Sequence, residues 1–384
     1  MHPKIKSALR RSWRDRHTVQ YGVTPAHAVV LGPVDTATGS FLDLLDGTRS
    51  MEQLRQLARS LGLGHGAADG VVERLAGAGL LDDASAGRGA AAAVPEALRP
   101  DLASLSVVHP RAGTAVRLLA ARRSAHVQVR GGGRVGGTLA SLLAAAGVGR
   151  VDVVDGGCVS EWDTAPGGLG SRQTGERRTS ALRKAVVRSG PWSRRPRDAA
   201  PGRPGGGLDG GLDLVIIAPR DGLAAYAPEA EAARELIAAG RPHLYTGVVE
   251  ATGFVGPLVL PGQSACADCI LRARAAREPA WPLMVGQWRQ ARRTGPVACD
   301  TALATVTAGA AASFALSLLD GDGGARPGMR CSFTLPGLRP EEEAVRPYEE
   351  CPCGAAAQER DMSCATASTW DAPEVTMASG PGGA

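Results

Sequence analysis

Apolar and polar positions fall into distinct regimes along this chain. Over residues 6–83, short apolar runs give way to helical patterns. Val19–Tyr21 and His27–Leu31 flank a Gly22–Pro25 break and predict a small hairpin. Apolar residues then recur at helical spacing over Thr36–Leu45, Met51–Leu61 and Ala67–Ala76, predicting three helices. Leu45-Asp46-Gly47 supplies a C-cap and turn, and Ser50 an N-cap for the helix that follows. Leu80–Leu81 closes the unit. A hairpin plus three short helices describes a winged-helix-like domain over residues 1–83.

Residues 84–100, rich in Ala, Gly and Pro, predict a linker. Strand and helix patterns alternate over 101–354, which predicts an α/β domain with a parallel sheet and crossovers. Leu212–Ala218 is a strongly apolar strand after a glycine-rich connection at Pro201–Gly211, and Glu229–Ala239 is its helix. His243–Gly247 and Gly253–Leu260 are further strands. Ala302–Leu319 is mostly Ala, Thr and Ser with a few Leu, which predicts a buried core helix rather than a membrane span. Residues 355–384 carry no period and are expected to be disordered.

Composition changes this picture little. Apolar residues make up 44% of the chain, enough for ordinary cores, but aromatics are only 4%, so those cores must be Ala, Val and Leu. The net charge of +5 is mild but uneven: residues 172–203 hold ten basic side chains against Glu176 and Asp198. Such a patch attracts nucleic acid or an acidic peptide, or is simply a solvated face. The basic N-terminus has no apolar run behind it and does not read as a secretory signal. A cytoplasmic location is expected, where eight cysteines are not expected to form disulfides.

The segment 125–155, AHVQVRGGGRVGGTLASLLAAAGVGRVDVVD, is the most informative. It reads strand, glycine turn, helix, strand, acid. Gly131, Gly133 and Gly136 give G-x-G-x-x-G: a tight turn, close backbone approach to a phosphate, and close helix–strand packing. Amides opening the helix at Arg134–Thr138 would face an anion. Asp155 closes the second strand, where an acid accepts from a ribose hydroxyl. The ordered set makes a Rossmann-like nucleotide-binding architecture the expectation.

Cys266-Ala-Asp-Cys269 is followed much later by Cys351-Pro-Cys353. Two short-spaced thiolate pairs complete a closed, tetrahedral, structural zinc site that staples distant segments. Cys158, Cys299, Cys331 and Cys364 are isolated. Cys158 and Cys331 read as core positions; Cys299 precedes a helix, where a thiolate could be stabilised, and a catalytic nucleophile is the minor reading for it.

Together these residues resemble the ThiF/MoeB-type adenylating enzymes over about 125–354. The resemblance rests on the VRGGGRVGG turn, LLAAAGVGRVDVVD, Asp221 in APRDG, the run GFVGPLVLPGQSACADC and the late cysteine pair. It implies ATP binding, adenylation of a C-terminal carboxylate, a homodimer and zinc. Gly131, Gly133, Gly136, Asp155 and Asp221 match the family's nucleotide contacts, Arg172-Gln173 its Arg-Gln pair, and Lys184 its phosphate lysine. Gly157 stands where the family has a second acid, and Leu169 where it has an asparagine. The stretch from Asp155 to Arg172 is also longer.

A more specific resemblance accommodates those departures. VQYG, HAVVLG, LLDGTRS and LAGAGLLDD resemble the PqqD-type peptide-recognition element of ribosomal-peptide biosynthesis. The remainder, with CILRARAAREPAWP, resembles the ThiF-like partner proteins of azoline-forming pathways. That implies an adaptor, not an enzyme by itself, with no membrane or nucleic-acid partner. It would bind a precursor's leader peptide and present it to a YcaO-type cyclodehydratase. An extended leader would pair with an edge strand of the hairpin, at Val29, Val30 and Leu31, and use pockets beside Val71, Val72 and Leu75. Core packing is the alternative role for each of these side chains. Two further readings are an active adenylyltransferase and a DNA-binding winged helix.

Overall fold

The computed structural model describes residues 1–85, 89, 92–192, 211–291, 295–321 and 326–358. The predicted glycine-rich connection (Gly211 aside), the arginines beyond Trp192, Cys364 and the tail from 359 lie outside the described residues.

In the N-terminal unit, β1 (Pro3–Ile5) pairs antiparallel with β5 (Leu81–Asp83), closing the unit. β2 (Arg11–Asp15), β3 (Thr18–Tyr21) and β4 (Val29–Leu31) form a three-stranded antiparallel sheet with β3 in the centre. The predicted hairpin is thus two of three strands. β2 carries no apolar alternation because all its residues are exposed; backbone pairing with β3 places it, helped by the Arg11–Asp43 ion pair to α1. α1 (Thr36–Asp43), α2 (Met51–Ser60) and α3 (Ala67–Gly77) follow. Asp35 caps α1 by accepting from the Thr38 amide, and Ser50 with Gln53 forms a capping box on α2. Val19 and Tyr21 share one core with Phe41, Leu54, Leu75 and Leu80.

The predicted linker ends early. α4 (Arg99–Val108) starts with Pro100 in its first turn, where the missing amide costs nothing, and α5 (Thr114–Ser124) packs beside it. Val94 and Leu98 belong to a small core with Leu105, Leu118 and Leu119. Buried Lys6 donates to the carbonyls of Ser106 and His109 and so ties the N-terminal unit to α4.

The large domain holds a seven-stranded sheet in the order β12-β11-β10-β9-β8-β6-β7. β6 (His126–Arg130), β7 (Arg150–Val154), β8 (Leu214–Ile217) and β9 (His243–Val249) are parallel. β10 (Thr252–Val259), β11 (Met329–Thr334) and β12 (Arg339–Ala344) continue antiparallel. The expectation of a parallel sheet therefore holds for half of it. Only Glu250 and Ala251 separate β9 from β10, too few residues for a crossover, so the chain must turn back beside itself.

α6 (Arg134–Ala145) packs on α12 (Thr301–Asp320). α12 is long and apolar enough to cross a membrane by composition, but Leu303, Ala304, Ala308, Ala311 and Ala315 lie in the main core. Its small side chains permit close approach to β10: a Cβ on Gly253 would meet Thr307 Oγ1 at 2.1 Å. β6 lies between β7 and β8, so the strand order reverses there and leaves a crevice at the strands' C-terminal ends.

Candidate functional site

The glycine turn opens that crevice. Gly131 has φ of +117°, and a Cβ there would sit 1.9 Å from the Ala218 carbonyl oxygen. One on Gly136 would lie 2.1 Å from the Gly131 carbonyl oxygen. Close packing of β6, β8 and α6 therefore demands two of the three glycines before any ligand is considered. Gly133 precedes α6 as its N-cap residue and faces Arg220.

Asp155 follows β7 and holds the turn. One carboxylate oxygen accepts from the Gly132 amide at 2.6 Å, the other from Arg178 Nη1 at 2.8 Å. Arg178 is the first residue of α7 (Arg178–Ser189) and is buried. It also donates to the Gly156 and Cys158 carbonyls and pairs with Asp163. Asp163, itself buried, accepts from the Ser160 amide at 2.8 Å and from Arg220 Nε at 2.7 Å. Burial alone would raise the Asp163 carboxyl, but the Ser160 amide and the Arg220 guanidinium hold it below the usual carboxylate range. No sequence motif marks this network. Its one sequence signal is Arg177-Arg178 opening a helix, where the dipole disfavours cations.

A cavity of about 360 Å³ lies along the crevice, lined by Gly133, Arg134, Trp162, Arg220, Asp221 and Cys299, among others. Asp221 enters from the loop after β8, so the structure brings the glycine turn and this acid together. Arg172 and Lys184 are not among its lining residues. Arg172 is exposed on a 3-10 turn at Ser171–Gln173, and Lys184 pairs with Glu176 at 2.8 Å on the surface of α7. Burial raises the Cys299 thiol, outweighing the attraction of Arg134, the opposite of what its place before a helix would favour. Cys158, expected in the core, is exposed, while its carbonyl accepts from the buried Arg178. Cys331 is buried as expected.

The four paired cysteines converge. Cys266 and Cys269 stand at the N-terminus of α10 (Ala267–Arg277), and Cys351 and Cys353 lie beyond β12. Cys266 Sγ lies 3.8 Å from Cys269 Sγ and 3.6 Å from Cys351 Sγ, and Cys269 and Cys353 are 3.6 Å apart. All four sulfurs fall within 4.8 Å of one another, a group able to hold a metal ion. The Cys266 thiol donates to Cys269, which lowers the pKa of Cys269 and raises that of Cys266.

In the N-terminal unit, β4 is an edge strand. The Gly22 amide donates to the Arg10 carbonyl, so alternation turns Gln20 toward β2 and Val19 and Tyr21 toward β4. Val30, opposite Gln20, therefore directs its amide and carbonyl to the open edge. Its side chain is exposed, while Val29 and Leu31 are half-buried. Val72 and Leu75 lie buried in the core of this unit, the packing role that was the alternative for them. Val71 is mostly buried but lines a second cavity with Thr38, Leu63 and Arg74.

Residues 112–339 match the ThiF family model. No curated protein matches the sequence. Among solved structures, E. coli MccB with MccA-N7isoASN superposes with a TM-score of 0.67 at 10% identity, over 92% of this chain and 100% of MccB. E. coli MccB with ATP gives 0.65 at 11%, over 92% and 99%. The heterocyclase TruD gives 0.59 at 18%, over 94% of this chain but 44% of TruD. At such identities the likeness establishes a shared fold.

Proposed function

The chain belongs to the ThiF family, and from that premise we propose that it is a peptide-binding adaptor in ribosomal-peptide biosynthesis. In this reading residues 1–83 act as a PqqD-like recognition element. They hold the leader of a precursor peptide while a YcaO-type cyclodehydratase forms azoline rings on it. The observation that carries the reading is the open edge of β4, where Val30 offers a backbone donor and acceptor to an extended segment. TruD, a heterocyclase, contains this fold as 44% of its length, which suits a division of labour with a partner chain. Cys266, Cys269, Cys351 and Cys353 would hold structural zinc. Zn–S bonds of about 2.3 Å imply sulfur separations near about 3.8 Å in a tetrahedron, close to those found. Zinc there would supply folding energy rather than chemistry.

The test is reconstitution. Leader-dependent ring formation by a YcaO-type enzyme should accelerate when this protein is added. No acceleration with a cognate precursor, together with no leader binding, would remove the adaptor reading.

One observation favours a second reading, adenylation of a peptide or sulfur-carrier C-terminus. Gly133 and Asp221 share a cavity, in a fold that covers the whole of E. coli MccB. Against it, Arg172 and Lys184 do not line that cavity, and a displaced phosphate clamp costs about 10²–10³ in rate per lost contact. Pyrophosphate exchange with ATP should therefore be absent. Robust exchange, abolished by Asp221→Ala, would promote the enzyme.

A further inference from the structure

The acceptors at the end of β7 are turned on one side chain. Arg178 takes the Asp155 carboxylate and the carbonyls of Gly156 and Cys158. Its stem lies over the glycine turn: a Cβ on Gly132 would meet Arg178 Cδ at 3.0 Å and Leu182 Cδ1 at 2.4 Å. Thr179 closes the same corner by donating to the Asp155 carbonyl. The 360 Å³ cavity runs from Gly133 to Asp221 and Cys299, and Asp155 is not among its lining residues.

We propose that Arg178 is a resident surrogate ligand: it fills the place beside the glycine turn where this fold receives a ribose, and so excludes nucleotides. The proposal deepens the adaptor reading of the same crevice and rests on it. A cation at the start of a helix opposes the helix dipole, so the position of Arg178 needs compensation, and Asp155 and Asp163 supply it. A ribose approaching Asp155 would compete with this buried guanidinium for Oδ1 and with the Gly132 amide for Oδ2. Neutral hydroxyls cannot replace a cation for the buried Asp163 and the largely buried Asp155. The arrangement also fixes the loop between β7 and α7 from both ends, making the ligand's place part of the fold.

The experiment uses the full chain, a fluorescent ATP analogue (mant-ATP) and hydrogen–deuterium exchange with Mg-ATP. Wild type should show no saturable binding up to about 1 mM and no ATP-dependent protection over residues 131–145 or 155–178. Arg178→Gln keeps a donor for Asp155 while removing the charge and part of the bulk. A folded variant, verified by its melting curve, should bind mant-ATP at least about tenfold more tightly. Wild-type binding with protection of both segments overturns the proposal, as does a folded Arg178→Gln that gains nothing. Where the variant does not fold, the wild-type measurements decide. ATP binding by wild type without pyrophosphate exchange sinks the surrogate alone and spares the adaptor; binding with exchange sinks both.

Discussion

Arg122 and Asp320, 198 positions apart, meet in a two-pronged ion pair, Nε to Oδ1 at 2.8 Å and Nη2 to Oδ2 at 2.6 Å. Both side chains are nearly fully buried. The pair joins the last turn of α5 to the last residue of α12, where the helix dipole favours a cation. Removing one partner strands the other charge away from water. Arg122→Ala should lower unfolding free energy by about 3–5 kcal/mol in urea titrations. Replacing both with apolar residues, Arg122→Met with Asp320→Leu, should recover most of that loss. A double variant as unstable as the single one would mean that the pair is worth more than its burial costs.

The cysteine cluster predicts bound metal. One equivalent of zinc per chain is expected by elemental analysis, and Cys351→Ser should lose it. Metal-binding energy is folding energy in a closed site, so the melting temperature should fall with it. Full zinc retention in that variant would break the assignment.

Asp163 predicts a pH dependence. Its folded carboxyl titrates below the unfolded value of about 3.9, since the Ser160 and Arg220 hydrogen bonds outweigh burial. Its charge therefore stabilises the fold fully above that unfolded value. The contribution is lost as pH falls through the lower folded value. Asp163→Asn should cost about 3 kcal/mol at pH 7, because it removes the buried carboxylate that pairs with both Arg220 and Arg178. The gap between variant and wild type should begin to narrow below about pH 4 and close only once the pH has passed the lower folded value. A gap independent of pH would place the cost in packing instead.

The open edge of β4 predicts the effect of Val30→Pro. Proline is tolerated on an edge strand where its missing amide faced outward, so the variant should fold, as judged by circular dichroism. It loses one donor to a paired peptide, and leader affinity should drop about tenfold, close to the net worth of one hydrogen bond. Unchanged affinity in a folded variant would move the peptide site elsewhere.

The thiols predict an order of alkylation. Burial raises the Cys299 thiol, leaving less thiolate at neutral pH, whereas Cys158 is exposed. Iodoacetamide at pH 7 should label Cys158 before Cys299, read by peptide mass spectrometry. Faster labelling of Cys299 would point to an activating neighbour in the crevice.

What the sequence determined by itself was local. The glycine spacing at Gly131–Gly136, the capped helices after Asp35 and Ser50, the apolar strand before Pro219 and the core character of α12 each rest on residues within a few turns of one another. Side-chain period, caps and steric freedom are short-range properties. The cysteine pairs were legible for a related reason: each pair is local, and thiolates have few other uses in such spacing. Only the tertiary structure decided the rest. β2 carries no apolar alternation and exists because β3 offers it backbone partners. The sheet turns antiparallel after β9 because only two residues join it to β10. Arg178 carries the same charge as its neighbour Arg177, yet it alone is buried, among acceptors supplied by Asp155, Gly156, Cys158 and Asp163. Arg172 and Lys184 match a motif by position and still lie outside the cavity. A charge's role depends on what is packed around it, and sequence spacing does not carry that across a loop of altered length.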